Sequence, residues 1–259
     1  MRINIDESSL EDIKRWFADY VTSFKKGEPE IQENIELKED HTYRVCKEIL
    51  TIGIKLDLSD DELRLAEIIA LLHDVGRFEQ YAGYGTFNDG KSVNHAGLGI
   101  EIILRNGVLD TLDISIRDLV IKAIAYHNRV SLPDDETETC LFYSMLLRDA
   151  DKLDIWKVVT DYYHRKDGKR NHGLELELPD TAGVSAEVLD DIRNGRAVNM
   201  KNIRNLNDFK LLQMAWIFDI NFKPTRDIIK ERNYLDKIRA VLPQSPETEE
   251  IFSRIYKEL

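Results

Sequence analysis

Histidine and aspartate carry the chemistry that this sequence puts forward. Six histidines occur in 259 residues. Four of them, His41, His73, His95 and His127, fall on or at the ends of segments with helical periodicity, each beside apolar residues. An imidazole placed in that way needs partners for both ring nitrogens. For any one of these residues alone, the ordinary reading is a core histidine bonded to backbone. Together with Asp74 and Asp151 on the same segments, they form a set of imidazole and carboxylate ligands suited to zinc, manganese, iron, magnesium or nickel. Nucleophilic catalysis has little support, because no G-x-S-x-G occurs and neither Cys46 nor Cys140 has a recognisable catalytic setting.

The elements that must position these residues are helical. Leu10, Ile13, Phe17, Val21 and Phe24 predict an amphipathic helix over 7–25, capped by Ser8 or Ser9 and ended by Gly-Glu-Pro-Glu. A second helix is expected over about 34–51, with His41, Val45, Ile49 and Ile52 on its inner stripe. The third opens at Ser59, Asp60 and Asp61, is apolar nearly all round, and reads as closing at Gly76, so His73 and Asp74 fall in its last turn. Residues 77–93 read as an ordered loop whose aromatics Phe78 and Phe87 close the core. Tyr84, Thr86, Asn88, Lys91 and Ser92 in that loop are candidate substrate contacts. Helices follow at about 94–106, 114–128 and 136–160, then at about 185–194, 206–220, 225–241 and 246–258. Between them, 165–180 alternates as a short strand or an extended loop does. In and just before it, His164, His172, Arg165, Lys166, Lys169 and Arg170 read as a solvated face. The expected fold is all-α.

The order His41, then His73-Asp74, then Asp151 within Ala150-Asp151-Lys152-Leu153-Asp154 resembles the H…HD…D signature of the HD phosphohydrolase superfamily, over about residues 35–160. The resemblance implies an HD-domain helical bundle. One domain, 1–259, is then expected, with its core at about 35–160, the N-terminal helix 7–25 before it and a helical extension over about 170–259 after it. Periodicity leaves Asp149, Asp151 and Asp154 open as the last ligand. The family pattern implies Asp151; Asp149 then reads either as orienting a ligand or as bonding an arginine, and a solvated helix carboxylate is an equal reading of Asp154. A subset of the superfamily carries two further histidines and holds two metals. His95 and His127 stand where that subset has them, which implies six ligands, His41, His73, Asp74, His95, His127 and Asp151, with Asp74 bridging two divalent ions. The alternative is one ion, with His95 and His127 contacting substrate or buttressing ligands.

Such a site implies hydrolysis of a phosphate monoester or diester, nucleotides included, by metal-activated water. Asp74 is then catalytic as well as ligating. Arg77, a turn beyond Asp74, and Lys152, beside Asp151, are placed to meet phosphate oxygens or to form ordinary salt bridges. The substrate expected is a small phosphorylated anion. Gly83-Tyr84-Gly85 is not the Gly-Tyr-Pro element of the cyclic-dinucleotide phosphodiesterases. Two alternatives share the ligand set: an HD-type di-iron oxygenase, and a catalytically silent metal-binding regulatory module. In the last case Trp216, Phe218 and Phe222 offer either a partner or homo-oligomer surface or internal packing.

Composition narrows the classes further. The net charge of −12 gives no basic surplus for a nucleic-acid backbone or an anionic membrane. The first residues lack a signal peptide's apolar stretch, and the two cysteines suggest no disulfide framework, so a cytoplasmic setting is expected.

Overall fold

Helix ends matter in this structure, because four of the six predicted ligands, His73, Asp74, His95 and His127, fall there. The computed structural model describes residues 3–26, 28–165, 170–171 and 173–259. It is all-α, with no strand among the described residues. The order is α1 (Glu7–Thr22), α2 (Pro29–Lys55), α3 (Asp60–Leu72), α4 (Gly76–Tyr84), a 3-10 turn Asp89–Lys91, α5 (His95–Arg105), α6 (Ile114–Tyr126) and α7 (Glu138–Tyr163). There follow α8 (Ala186–Arg193), a 3-10 turn Met200–Asn202, α9 (Leu206–Ala215) with a 3-10 continuation Trp216–Asp219, α10 (Lys223–Glu231), α11 (Tyr234–Arg239) and α12 (Pro246–Tyr256). No helix among the described residues is long and apolar enough to cross a membrane.

Contacts between Cα atoms divide the chain into two compact units, Met1–Asp151 and Lys152–Leu259. In the first, α3 is the central rod: Leu65, Ala66, Ile68, Ile69, Ala70, Leu71 and Leu72 are all buried. It packs against α1, α2 and α6, while α4 packs against α2 and α5, and α5 against α6. Ser59 starts α3 with a capping box, accepting from the Glu62 backbone while the Glu62 carboxylate accepts from Ser59 N at 2.8 Å. In the second unit, Trp156 is fully buried and donates Nε1–H to Gln213 O at 2.9 Å. Trp216 and Tyr234 pack beside its rings, and Arg254 lies over Phe218. Trp216 and Phe218 therefore take part in packing within this unit.

Several boundaries differ from the sequence reading for identifiable reasons. Asp6, not Ser8 or Ser9, caps α1, because its Oδ1 reaches Ser9 N at 2.7 Å. α2 begins five residues early, at Pro29, a residue preorganised for a first helical turn. Gly76 does not stop α3; it opens α4. A Cβ at Gly76 would lie 2.1 Å from His95 O and 2.7 Å from Gly99 N, so this glycine permits close approach of α4 to α5. The expected loop 77–93 is helical as far as Tyr84, with Phe78, Gln80 and Tyr81 buried, and ends at Gly85 with φ 64°. The described part of 165–180 forms turns rather than a strand. Lys166, Lys169 and His172 lie outside the described residues. The expected helix over 225–241 is broken at Asn233, whose φ is 54°.

Candidate metal centre

Each of the six predicted ligands comes from a different position on the first unit's helices. His41 sits mid-α2, His73 is the C-cap of α3 with Asp74 next to it, His95 opens α5, His127 is the C-cap of α6, and Asp151 lies on α7. Two of the imidazoles use one local device. His73 Nδ1 lies 2.7 Å from Ala70 O, and His127 Nδ1 lies 2.7 Å from Ile124 O. Each carbonyl lies in the last turn of the helix that its histidine caps. A carbonyl oxygen can only accept, so both rings carry the proton on Nδ1 and present a lone pair at Nε2. His95 is set in the same sense by a carboxylate, with Nδ1 2.7 Å from Asp89 Oδ2.

The inward atoms form two groups, His41–His73–Asp151 and Asp74–His95–His127, with the donor atoms of each within 4.8 Å of one another. In the first region His41 Nε2 is 3.2 Å from Asp151 Oδ1, and His73 Nε2 is 3.9 Å from the same oxygen. Asp74 Oδ2 lies 3.5 Å from His41 Nε2 and 3.7 Å from His73 Nε2. Its other oxygen, Oδ1, lies 3.4 Å from His95 Nε2 and 3.9 Å from His127 Nε2. One carboxylate thus turns an oxygen to each group.

The donor set passes two physical tests for a bound cation. Ligand bonds of about 2.0–2.2 Å separate the donors on one ion by roughly 3.0–4.3 Å, and the distances above fall in that range. Secondly, His73 Nε2 is buried with no hydrogen-bond partner. His95 Nε2 and His127 Nε2, both lone-pair atoms by the argument above, face each other at 3.0 Å. Orphaned and opposed acceptors in a buried place are costly unless a cation lies among them.

Electrostatics keep these groups in ligating form. Burial pushes the His127 pKa down to about 3, helped by the neighbouring His95 and His73. His73 is lowered as well, chiefly by burial, against the pull of Asp74 and Asp151. For Asp74, burial acts to raise the pKa, but Lys38, His73, Arg77 and His95 together hold it well below the usual carboxylate range. Asp151 is lowered despite burial by its hydrogen bond to His41. Neutral imidazole and ionised carboxylate are the metal-binding forms.

Three contributors went unmentioned in the sequence reading. Lys38 Nζ is 2.8 Å from Asp74 Oδ2, and it sits one turn before His41 on the same face of α2, a spacing that could have revealed it. Asp89, which fixes His95, is clamped in turn by Arg77 Nη1 at 2.9 Å and Gln80 Nε2 at 2.9 Å. Burial would raise the Asp89 pKa, but His95 and Arg77 bring it to about 2. Gln80 is fully buried and also donates to Ser92 Oγ and Val93 O. No sequence period marks Asp89, since its place follows from the turn after α4.

The remaining predicted residues fall as follows. Arg77 donates to Asp89, Gln80 Oε1 and Phe87 O, and its Nε is 3.5 Å from Asp74 Oδ1, so it braces the centre. Lys152 Nζ pairs with Asp219 at 2.7 Å. Asp149 and Asp154 are both fully buried, which removes the solvated reading of Asp154. Thr86, Asn88 and Ser92 bond within their own turn, whereas Tyr84 is exposed. His164 is exposed and reaches Lys237 O.

Comparison with curated proteins and with solved structures finds no match to this chain. Among protein families, the HD domain matches residues 39–156, a span that contains all six side chains of the two groups. The part of the chain that resembles the HD domain is thus residues 39–156.

Proposed function

We propose that the protein is a metal-dependent phosphohydrolase that cleaves a small phosphate monoester or diester at a centre of two divalent ions. The observation that carries this reading is the Asp74 carboxylate, with one oxygen toward His41 and His73 and the other toward His95 and His127. Bound ions supply Lewis acidity toward phosphoryl oxygens and acidify a water molecule to make the nucleophile. The protein's own part is preorganisation. Helix-end carbonyls hold His73 and His127, Asp89 holds His95, and Arg77 and Gln80 hold Asp89. Lys38 and Arg77 place positive charge beside Asp74, which favours an anionic substrate in an acidic protein. The side chains of Lys38, Asp151 and Asp89 are 19%, 20% and 30% exposed, so substrate approaches the centre along that edge.

The test is turnover of a panel of phosphate esters with Mn(II) under argon, comparing the parent with His73→Ala and Asp74→Asn. Metal-dependent hydrolysis of a panel ester, read as phosphate from a monoester or as the monoester and alcohol from a diester, is expected to fall at least about a hundredfold in both variants. Unchanged turnover in either variant overturns the assignment. Activity that needs iron and dioxygen instead points to the oxygenase, and a full metal load without turnover points to a regulatory module.

A further inference from the structure

Arg148 lies on α7 one turn before Asp151, so the two share a face of that helix. It is 6% exposed. Its Nη1 reaches three carbonyls at the end of α6: Tyr126 O at 3.4 Å, His127 O at 3.2 Å, and Arg129 O. A helix C-terminus leaves such carbonyls without intrahelical partners and carries partial negative charge, so a guanidinium is a strong cap there. The capped turn is the one that carries His127. His127 Nδ1 is fixed to Ile124 O in the same turn, so the position of that turn sets where Nε2 points. The next residue, Asn128, reaches Asp89 Oδ2 at 3.4 Å, the oxygen that orients His95. The backbone that Arg148 holds thus carries His127 directly and touches, through Asn128, the carboxylate that orients His95. In the His41–His73–Asp151 group other devices set the imidazoles: His73 Nδ1 is fixed to Ala70 O of its own helix, and His41 sits mid-α2.

We propose that Arg148 is a positioning residue for one half of the centre, determining whether the Asp74–His95–His127 group holds its ion while leaving the other half intact. The inference rests on the two-ion reading above. Loss of Arg148 frees the α6 terminus and leaves its carbonyls, among them the buried His127 O, without their cationic cap. The second ion should weaken and the first should stay.

The experiment is titration with Mn(II) alone of parent, Arg148→Lys and Arg148→Met protein, read by calorimetry and by the electron paramagnetic resonance of the bound ions. The parent should bind two ions with the spectrum of a coupled pair. Arg148→Met should bind one ion with nearly parental affinity and the second at least about tenfold more weakly, with the spectrum of an isolated ion at low loading. Arg148→Lys, which keeps the charge but not the fork, should fall between them. Two ions bound by Arg148→Met as in the parent, or equal weakening of both, overturns the proposal and leaves the two-ion centre standing. A parent that binds a single ion overturns the two-ion reading and this inference with it. Should Arg148→Met fail to fold, the same comparison of Arg148→Lys with the parent decides.

Discussion

Asp74 and His127 show what burial asks of a side chain that must stay ready to bind a cation. Asp74 remains ionised because Lys38 lies 2.8 Å away. His127 remains neutral because burial, reinforced by His95 and His73, holds its pKa at about 3 against 6.5. The consequence for stability has a definite sign. Between those two values the unfolded chain binds a proton at His127 that the folded chain does not. In the metal-free protein this contribution is fully present above the unfolded pKa and is lost as pH falls toward about 3, at a slope of about 1.4 kcal/mol per pH unit. Urea unfolding near neutrality and at about pH 5 should therefore show the parent losing about 2 kcal/mol more than His127→Gln. Equal losses would show that His127 is not held neutral. The candidate ligands were legible in the sequence because the capacity to ligate is a property of residue type, and all six residues, histidine or aspartate, lie beside apolar helical runs. Asp89 and Gln80 were not, since nothing in their local pattern says that a turn will fold back onto His95.

Helix ends supply four of the six candidate ligands, His73, Asp74, His95 and His127, and helix ends are where sequence reading is weakest. The interior of α3 was plain from Leu65, Ile68, Ile69 and Leu72, and Ser59 marked its start. Its far end was misjudged at Gly76, because one letter serves both a left-handed stop and a close helix contact. The surrounding backbone distinguishes them. A Cβ at Gly76 would meet His95 O at 2.1 Å and Gly99 N at 2.7 Å, both backbone atoms that cannot rotate away. Gly83, on the same helix, has nothing within 4 Å of a built Cβ. Gly76→Ala should therefore destabilise by about 3 kcal/mol and displace His95, weakening metal binding. Gly83→Ala should be neutral or stabilise by up to about 1 kcal/mol through helix propensity. Paired urea titrations check both. Similar effects from the two substitutions would mean that α4 and α5 can separate at little cost, and the proposed reason for Gly76 would fall.

At the scale of the whole chain, all six candidate ligands lie in the unit Met1–Asp151, and among the described residues no such group lies in Lys152–Leu259. The all-α class and the acidic balance could be read from composition and periodicity. The division at 151–152 could not, because it falls inside the continuous helix α7, where no linker composition announces it. Ligands drawn from α2, the end of α3, α5, the end of α6 and α7 mean that bound ions tie together segments far apart in sequence. A ligand that binds only the folded form adds RT ln(1 + [L]/Kd), about 2.7 kcal/mol at a hundredfold excess over Kd. That stabilisation belongs to the unit that supplies the donors. Hydrogen exchange with and without a chelator should then show protection rising on metal loading across α2, α3, α5, α6 and the N-terminal part of α7. Amides of α8 through α12 should change little. The experiment separates local from global stabilisation, because fully cooperative unfolding of the chain would spread the same increment to its slowest amides everywhere. Equal protection gained across 186–256 would show that the two units open as one, and bound ions would then stabilise the whole molecule rather than the unit that holds the candidate ligands.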